Sequence, residues 1–120
     1  MAPNFSGQAY YERLAFKIKT EILQGIWQPG DKLPSVRDMA VQENLNPNTV
    51  AKTYRLLESQ QQIYTEPGRG SFISQPAEQV NQQQVAKLHH QFQQFVVEAR
   101  AQGLTQNQLQ AWLTEQFQEE

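Results

Sequence analysis

The sequence predicts a mainly α chain with one small β-hairpin, organised in two parts, residues 1–76 and residues 77–120. Three observations carry that prediction. Apolar residues recur at helical spacing along most of the chain. The pattern breaks where two short β-prone runs flank Pro67-Gly68-Arg69-Gly70. After Gln75-Pro76-Ala77 the composition turns Gln-rich, and apolar residues recur at intervals of three and four.

The first helix is expected from near Ala9 to Gly25, with Tyr11, Leu14, Ala15, Ile18 and Ile22 on its apolar face. Glu12, Arg13, Lys17, Lys19 and Glu21 take the other side, and Gly25 suits a left-handed stop. Gln28-Pro29-Gly30-Asp31 reads as a turn, and Leu33 returns the chain to the core. Ser35 then caps a second helix running to Glu43, buried through Val36, Met39 and Ala40, with Asp38 placed as in a capping box. Asn44 ends it in a position that suits a left-handed residue.

The third helix has the clearest start. Asn46 is a strong N-cap, Pro47 fits the first helical position, and Leu45 can staple Val50 across the entry. It runs to about Gln61, with Val50, Tyr54 and Leu57 facing inward and Leu56 widening that face. Ile63–Glu66 and Ser71–Ser74 form the hairpin, with Arg69 at its tip between two glycines. Two short helices joined by a tight polar turn outline a helix-turn-helix, and a hairpin directly after it is a wing. Residues 1–76 are therefore read as a winged helix-turn-helix.

Composition narrows the function. The 120 residues contain no cysteine, which removes disulfides, thiolate metal sites and thiol catalysis. No N-terminal signal peptide and no run of about 18 apolar residues occurs, so a cytoplasmic protein with no membrane partner is expected. His89 and His90 are neighbours and point about 100° apart on a helix, which suits surface or interface side chains, not metal ligands. Catalysis, a metal and a cofactor are not expected. The net charge is −2, yet residues 1–76 hold eight Lys/Arg against seven Asp/Glu, and residues 77–120 two against five. The first part is only weakly basic and has to gather its positive groups on one face to bind nucleic acid.

The candidate contacts follow from that. Ser35 opens one helix, and free N–H groups there favour phosphate, with Lys32 nearby; its plainer role is the cap itself. Arg37 points away from the buried stripe, the alternative being a salt bridge to Asp38 or Glu43. Asn48, Thr49 and Lys52 share the exposed entry of the third helix, where amide, hydroxyl and ammonium groups meet base edges or phosphates; ordinary surface polarity is the alternative. Arg55 lies further along and stays unassigned. Arg69 at the wing tip suits a minor-groove or backbone contact, against a solvated turn arginine.

The ordered motifs P-G-D-K-L-P-S-V-R-D-M-A, N-P-N-T-V-A-K-T-Y-R-L-L-E and G-R-G-S-F-I, preceded by Tyr11, resemble the GntR family of bacterial transcription regulators. The N-P-N-T-V element and the short tail resemble its YtrA subfamily. The resemblance implies a homodimer that represses at a palindromic operator in double-stranded DNA. It places DNA contacts at Ser35, Arg37, Asn46, Asn48, Thr49, Lys52, Gly68 and Arg69. Two positions depart from it: Pro47 and Ala51 stand where many members carry arginine. A third departure is Gln61, where a glycine is usual, so the joint into the wing is expected to differ or to carry strain.

The tail reads as an antiparallel helical hairpin. Val85, Leu88, Phe92, Phe95 and Ala99 form one seam, thickened by Val96, and Gly103 stops that helix. Thr105 and Gln108 match a capping box with Leu104 and Leu109 as its staple, and Leu109, Trp112, Leu113 and Phe117 give the last helix an apolar face. This is more apolar surface than two helices hide alone, so the tail is read as the dimerisation element. Its candidate interface residues are Val85, Leu88, Phe92, Phe95, Trp112, Leu113 and Phe117. Trp27 and Trp112 are expected in the core, the alternative being a pocket for a small effector that the sequence does not identify. The competing function is a winged helix used for protein interaction, a reading favoured by the weak positive charge.

Overall fold

A computed structural model of the chain describes residues 9–75 and 81–118. The elements run α1 (Tyr10–Leu23), α2 (Val36–Glu43), α3 (Pro47–Ser59), β1 (Ile63–Glu66), β2 (Gly70–Ile73), α4 (Gln82–Ala101) and α5 (Gln106–Phe117). The chain divides into two compact units, Met1–Glu78 and Gln79–Glu120. The joint expected at Gln75-Pro76-Ala77 lies outside the described residues from Pro76 onward.

In the first unit α3 packs against both α1 and α2 and leads into β1. Leu14, Ala15 and Ile18 of α1, Met39 and Ala40 of α2, and Val50, Tyr54 and Leu57 of α3 close one core with Leu33, Ile63 and Ile73. Ile22, Trp27, Val36, Leu45 and Leu56 pack around it half-buried. Thr53 is buried too, a polar residue among apolar ones, and its Oγ1 donates to the Tyr11 carbonyl at 2.8 Å. The Tyr54 hydroxyl donates to the Pro34 carbonyl at 2.7 Å. Adjacent residues on the back of α3 thus tie it to the start of α1 and to the entry of α2. Burial pushes the Tyr54 phenol far above its ordinary range, so it stays a donor.

Helix ends follow local chemistry. The Asp38 amide donates to Ser35 Oγ at 3.1 Å, and the Asn48 amide to Asn46 Oδ1 at 2.7 Å. Asn44 (φ 55°) adopts the left-handed conformation after α2, as its short amide side chain tolerates. α3 stops at Ser59, slightly before the expected Gln61, and Gln61 itself sits at φ 61°. The strain alternative at that joint therefore holds: the left-handed turn is kept without glycine.

The two strands pair antiparallel from Ile63↔Ile73 to Glu66↔Gly70, leaving Pro67, Gly68 and Arg69 as the connection. Gly68 turns at φ 77°, a conformation that disfavours a Cβ, and its surroundings are open. A third edge adds to the sheet. The Gly30 N–H donates to the Ile73 carbonyl (2.8 Å), the Ile73 N–H to that of Asp31 (2.9 Å), and the Leu33 N–H to that of Ser71 (2.9 Å). The loop before α2 thereby fastens the wing to the helical core.

The second unit has a different character. Asn81 caps α4 by accepting from the Gln83 and Gln84 amides, and Gly103 (φ 88°) follows its end. Thr105 and Gln108 form both bonds of the expected capping box at the start of α5. Phe95 and Trp112 meet across the pair with ring centroids 6.5 Å apart. Ala99 is its one buried hydrophobic residue among those described, and Leu88 (62%), Phe92 (56%) and Leu113 (53%) remain exposed. Trp112 is 46% exposed and not a core residue of the single chain, whereas Trp27 packs on the first core and donates from Nε1 to Glu21 at 3.1 Å. The difference has a simple cause: Trp27 lies beside a three-helix core, whereas Trp112 has only one neighbouring helix.

Candidate nucleic-acid interface

Helical geometry sorts the polar residues of α3. Val50, Thr53, Tyr54 and Leu57 define its buried side. At 100° per residue, Asn48, Lys52 and Arg55 then fall within an arc of about 60° on the opposite side, and all three are exposed. Thr49 falls about 60° outside that arc and is half-buried, so it does not share the face. Arg55, unassigned from sequence, joins the stripe. The helical wheel already placed it there, but arginine alone carries no signal of its use.

The N-terminus of α3 points donors outward from the same end. The Oδ1 of Asn46 is occupied by the Asn48 amide, which leaves its Nδ2 to donate. Asn46 is thus cap and candidate contact together. Ser35 at the start of α2 is likewise a cap with its hydroxyl proton still available, and it is exposed. Arg37 is exposed one residue into α2. Glu43, one of its two suggested partners, instead pairs with Lys17 at 2.7 Å. That hydrogen bond from Lys17 to Glu43 is the chief cause raising the lysine pKa, with a smaller opposing effect from burial.

Lys52 is the residue whose surroundings sequence did not reveal. Its Nζ lies 4.2 Å from the centroid of the Tyr11 ring, a cation–π pair. Arg69 at the wing tip reaches back to Glu66, with 3.1 Å between Nη1 and Oε2. Both partners are solvent-exposed to a large degree, so this ion pair is weak and yields readily to a phosphate. Lys32 crosses the wing: a methyl group placed on Gly70 would meet Lys32 Cε at 2.8 Å. On the outer side of the hairpin Tyr64 stacks on Phe72, with centroids 5.6 Å apart.

Four of the interface residues expected in the tail share one apolar cleft. Phe92, Phe95, Trp112 and Leu113 line a cleft of about 1140 Å³ with Val96 and Leu109. Val85 and Leu88 continue the exposed stripe along α4, and Phe117 is exposed at the far end of α5. Among the described residues no helix is long and apolar enough to cross a membrane.

Comparison with known proteins agrees with this architecture. The family model described as bacterial regulatory proteins, gntR family, matches residues 10–73. The HTH-type transcriptional repressor YtrA of Bacillus subtilis (strain 168) is 37% identical over 111 residues, covering 92% of this chain and 85% of that protein. The crystal structure of a transcriptional antiterminator from Listeria monocytogenes EGD-e superposes with a TM-score of 0.89 at 28% identity, covering 98% of this chain and 90% of the other. The DNA-binding domain of AraR, solved in complex with operator ORX1, shares the fold at a TM-score of 0.55 and 24% identity, covering 62% of this chain and 89% of that one. The family is one of regulators, not of enzymes. The helix-turn-helix, its wing and the short helical tail thus place this chain in the GntR family of bacterial transcription regulators, on the YtrA-like side.

Proposed function

We propose that the chain is a sequence-specific repressor that binds a palindromic operator as a homodimer. The carrying observation is the exposed stripe of Asn48, Lys52 and Arg55 at the open end of α3, opposite the face that holds the core. Asn48 and Lys52 read base edges or phosphates, Asn46 and Thr49 support them at the helix entry, and Ser35 and Arg37 hold the backbone from α2. Gly68 and Arg69 bring the wing to the neighbouring groove or backbone. Residues 1–76 do this work, and residues 77–120 pair two copies through Val85, Leu88, Phe92, Phe95, Trp112, Leu113 and Phe117. Two paired recognition helices then face half-sites about 34 Å apart, or a multiple of that. Repression is supported by the name of the Bacillus relative. An operator-bound regulator of this kind works in the cytoplasm.

Selection of bound duplexes from a random pool tests the reading directly. A palindrome with half-sites one helical turn or a multiple apart is expected, with affinity falling steeply as salt rises. A winged helix used for protein interaction gives no salt-dependent binding to any duplex. On the selected duplex, Lys52→Ala and Arg69→Ala each weaken binding by about 1–2 kcal/mol and lower the salt slope by about one, with unchanged melting. Wild-type affinity in both variants removes the assignment of these two residues.

A further inference from the structure

We infer that Tyr11 is a positioning residue for DNA binding, its ring holding the Lys52 ammonium beside the exposed stripe of α3. The inference rests on the proposed contact between Lys52 and DNA. Lys52 Nζ stands 4.2 Å from the ring centroid, within the range where the negative face of the ring attracts a cation. The ring is anchored from behind. The Tyr11 carbonyl accepts from Thr53 Oγ1 at 2.8 Å, and Thr53 is fully buried. Consecutive residues of α3 therefore grip Tyr11 twice: Thr53 fixes its backbone, and Lys52 lies over its side chain.

The arrangement bears on affinity through side-chain freedom. A lysine on a solvent face explores many rotamers, and fixing them at the moment of binding opposes association. Contact with the ring restricts that freedom before the duplex arrives. The ring meets the ammonium through its π face and takes none of the three N–H donors irreversibly, so they can turn to a phosphate or a purine edge. The Thr53 bond goes to the main chain of Tyr11, so side-chain exchange there leaves the anchor between α1 and α3 in place.

The test uses the full chain and the duplex selected by the wild-type protein, with affinity read by fluorescence anisotropy over a salt series and folding by thermal melting. Tyr11→Leu is expected to weaken binding roughly three- to tenfold, and Tyr11→Phe, which keeps the π face, to restore it. In a Lys52→Ala background, Tyr11→Leu is expected to have no further effect. A loss that persists in that background means a structural role for Tyr11 and overturns the inference, as does tighter binding by Tyr11→Leu, which would mean that the ring withholds the ammonium. Weak binding by Lys52→Ala beside wild-type binding by Tyr11→Leu removes the inference alone. Wild-type binding by Lys52→Ala removes the underlying reading of Lys52, and the inference with it.

Discussion

The two units treat their apolar residues in opposite ways. Residues from α1, α2, α3 and both strands converge so that Ile18, Leu33, Val50, Leu57, Ile63 and Ile73 are almost wholly shielded from water. α4 and α5 carry an apolar pattern of their own, yet Leu88, Phe92, Phe95, Trp112, Leu113 and Phe117 stay exposed. The first unit satisfies its own sequence. The second leaves much of its apolar side chain exposed, and that exposure is the physical ground for the proposed pairing.

Phe92→Glu should break this contrast most sharply. A charge placed in the apolar system of the tail is expected to give monomers in sedimentation and to lower operator affinity about 100-fold or more, as two linked half-site contacts become one. A dimer that survives this change removes the tail from the interface. Leu57→Ala acts on the closed unit and should cost about 2–5 kcal/mol of stability in denaturant unfolding; a loss under about 1 kcal/mol would show the core to be less complete than its burial indicates. Gln61→Gly is the smallest and has the opposite sign. Relief of a left-handed glutamine should stabilise the first unit by about 1 kcal/mol, raising its melting temperature without changing DNA affinity.

Much of this contrast is legible in the sequence because it depends on neighbours in the chain. The Asn46-Pro47 entry, the Thr105–Gln108 capping box and the stops near Gly25 and Gly103 are local chemistry, and each appears in the structure. Gln61 stands where the family resemblance implies a glycine, so the joint is expected to differ or to carry strain, and its φ of 61° agrees with the second. Contacts across the chain were not legible. Thr53 carries no assignment from the sequence, and α1 brings a carbonyl to it from 42 residues away. The Lys52–Tyr11 pair has the same origin: periodicity put Tyr11 on a buried face and Lys52 on an exposed one, and only the packing of α1 on α3 brings their edges together. The Arg69–Glu66 pair lies inside the hairpin and follows from its register, but a charge pair at such short range could be traced only after the turn geometry was fixed. Trp112 shows the limit from the other side, since side-chain size predicts burial and its own unit leaves it 46% exposed.

The two hydrogen bonds on the back of α3 carry one more consequence. Thr53 and Tyr54 tie the back of the helix to α1 and to the entry of α2, while Asn48, Lys52 and Arg55 project from the opposite, exposed side. Orientation and the proposed DNA contacts therefore fall on separate sets of residues on one helix. On the proposed reading, exchange of the outer set is expected to change the preferred DNA sequence on an unchanged scaffold, which makes this helix a cassette for engineering regulators with new targets.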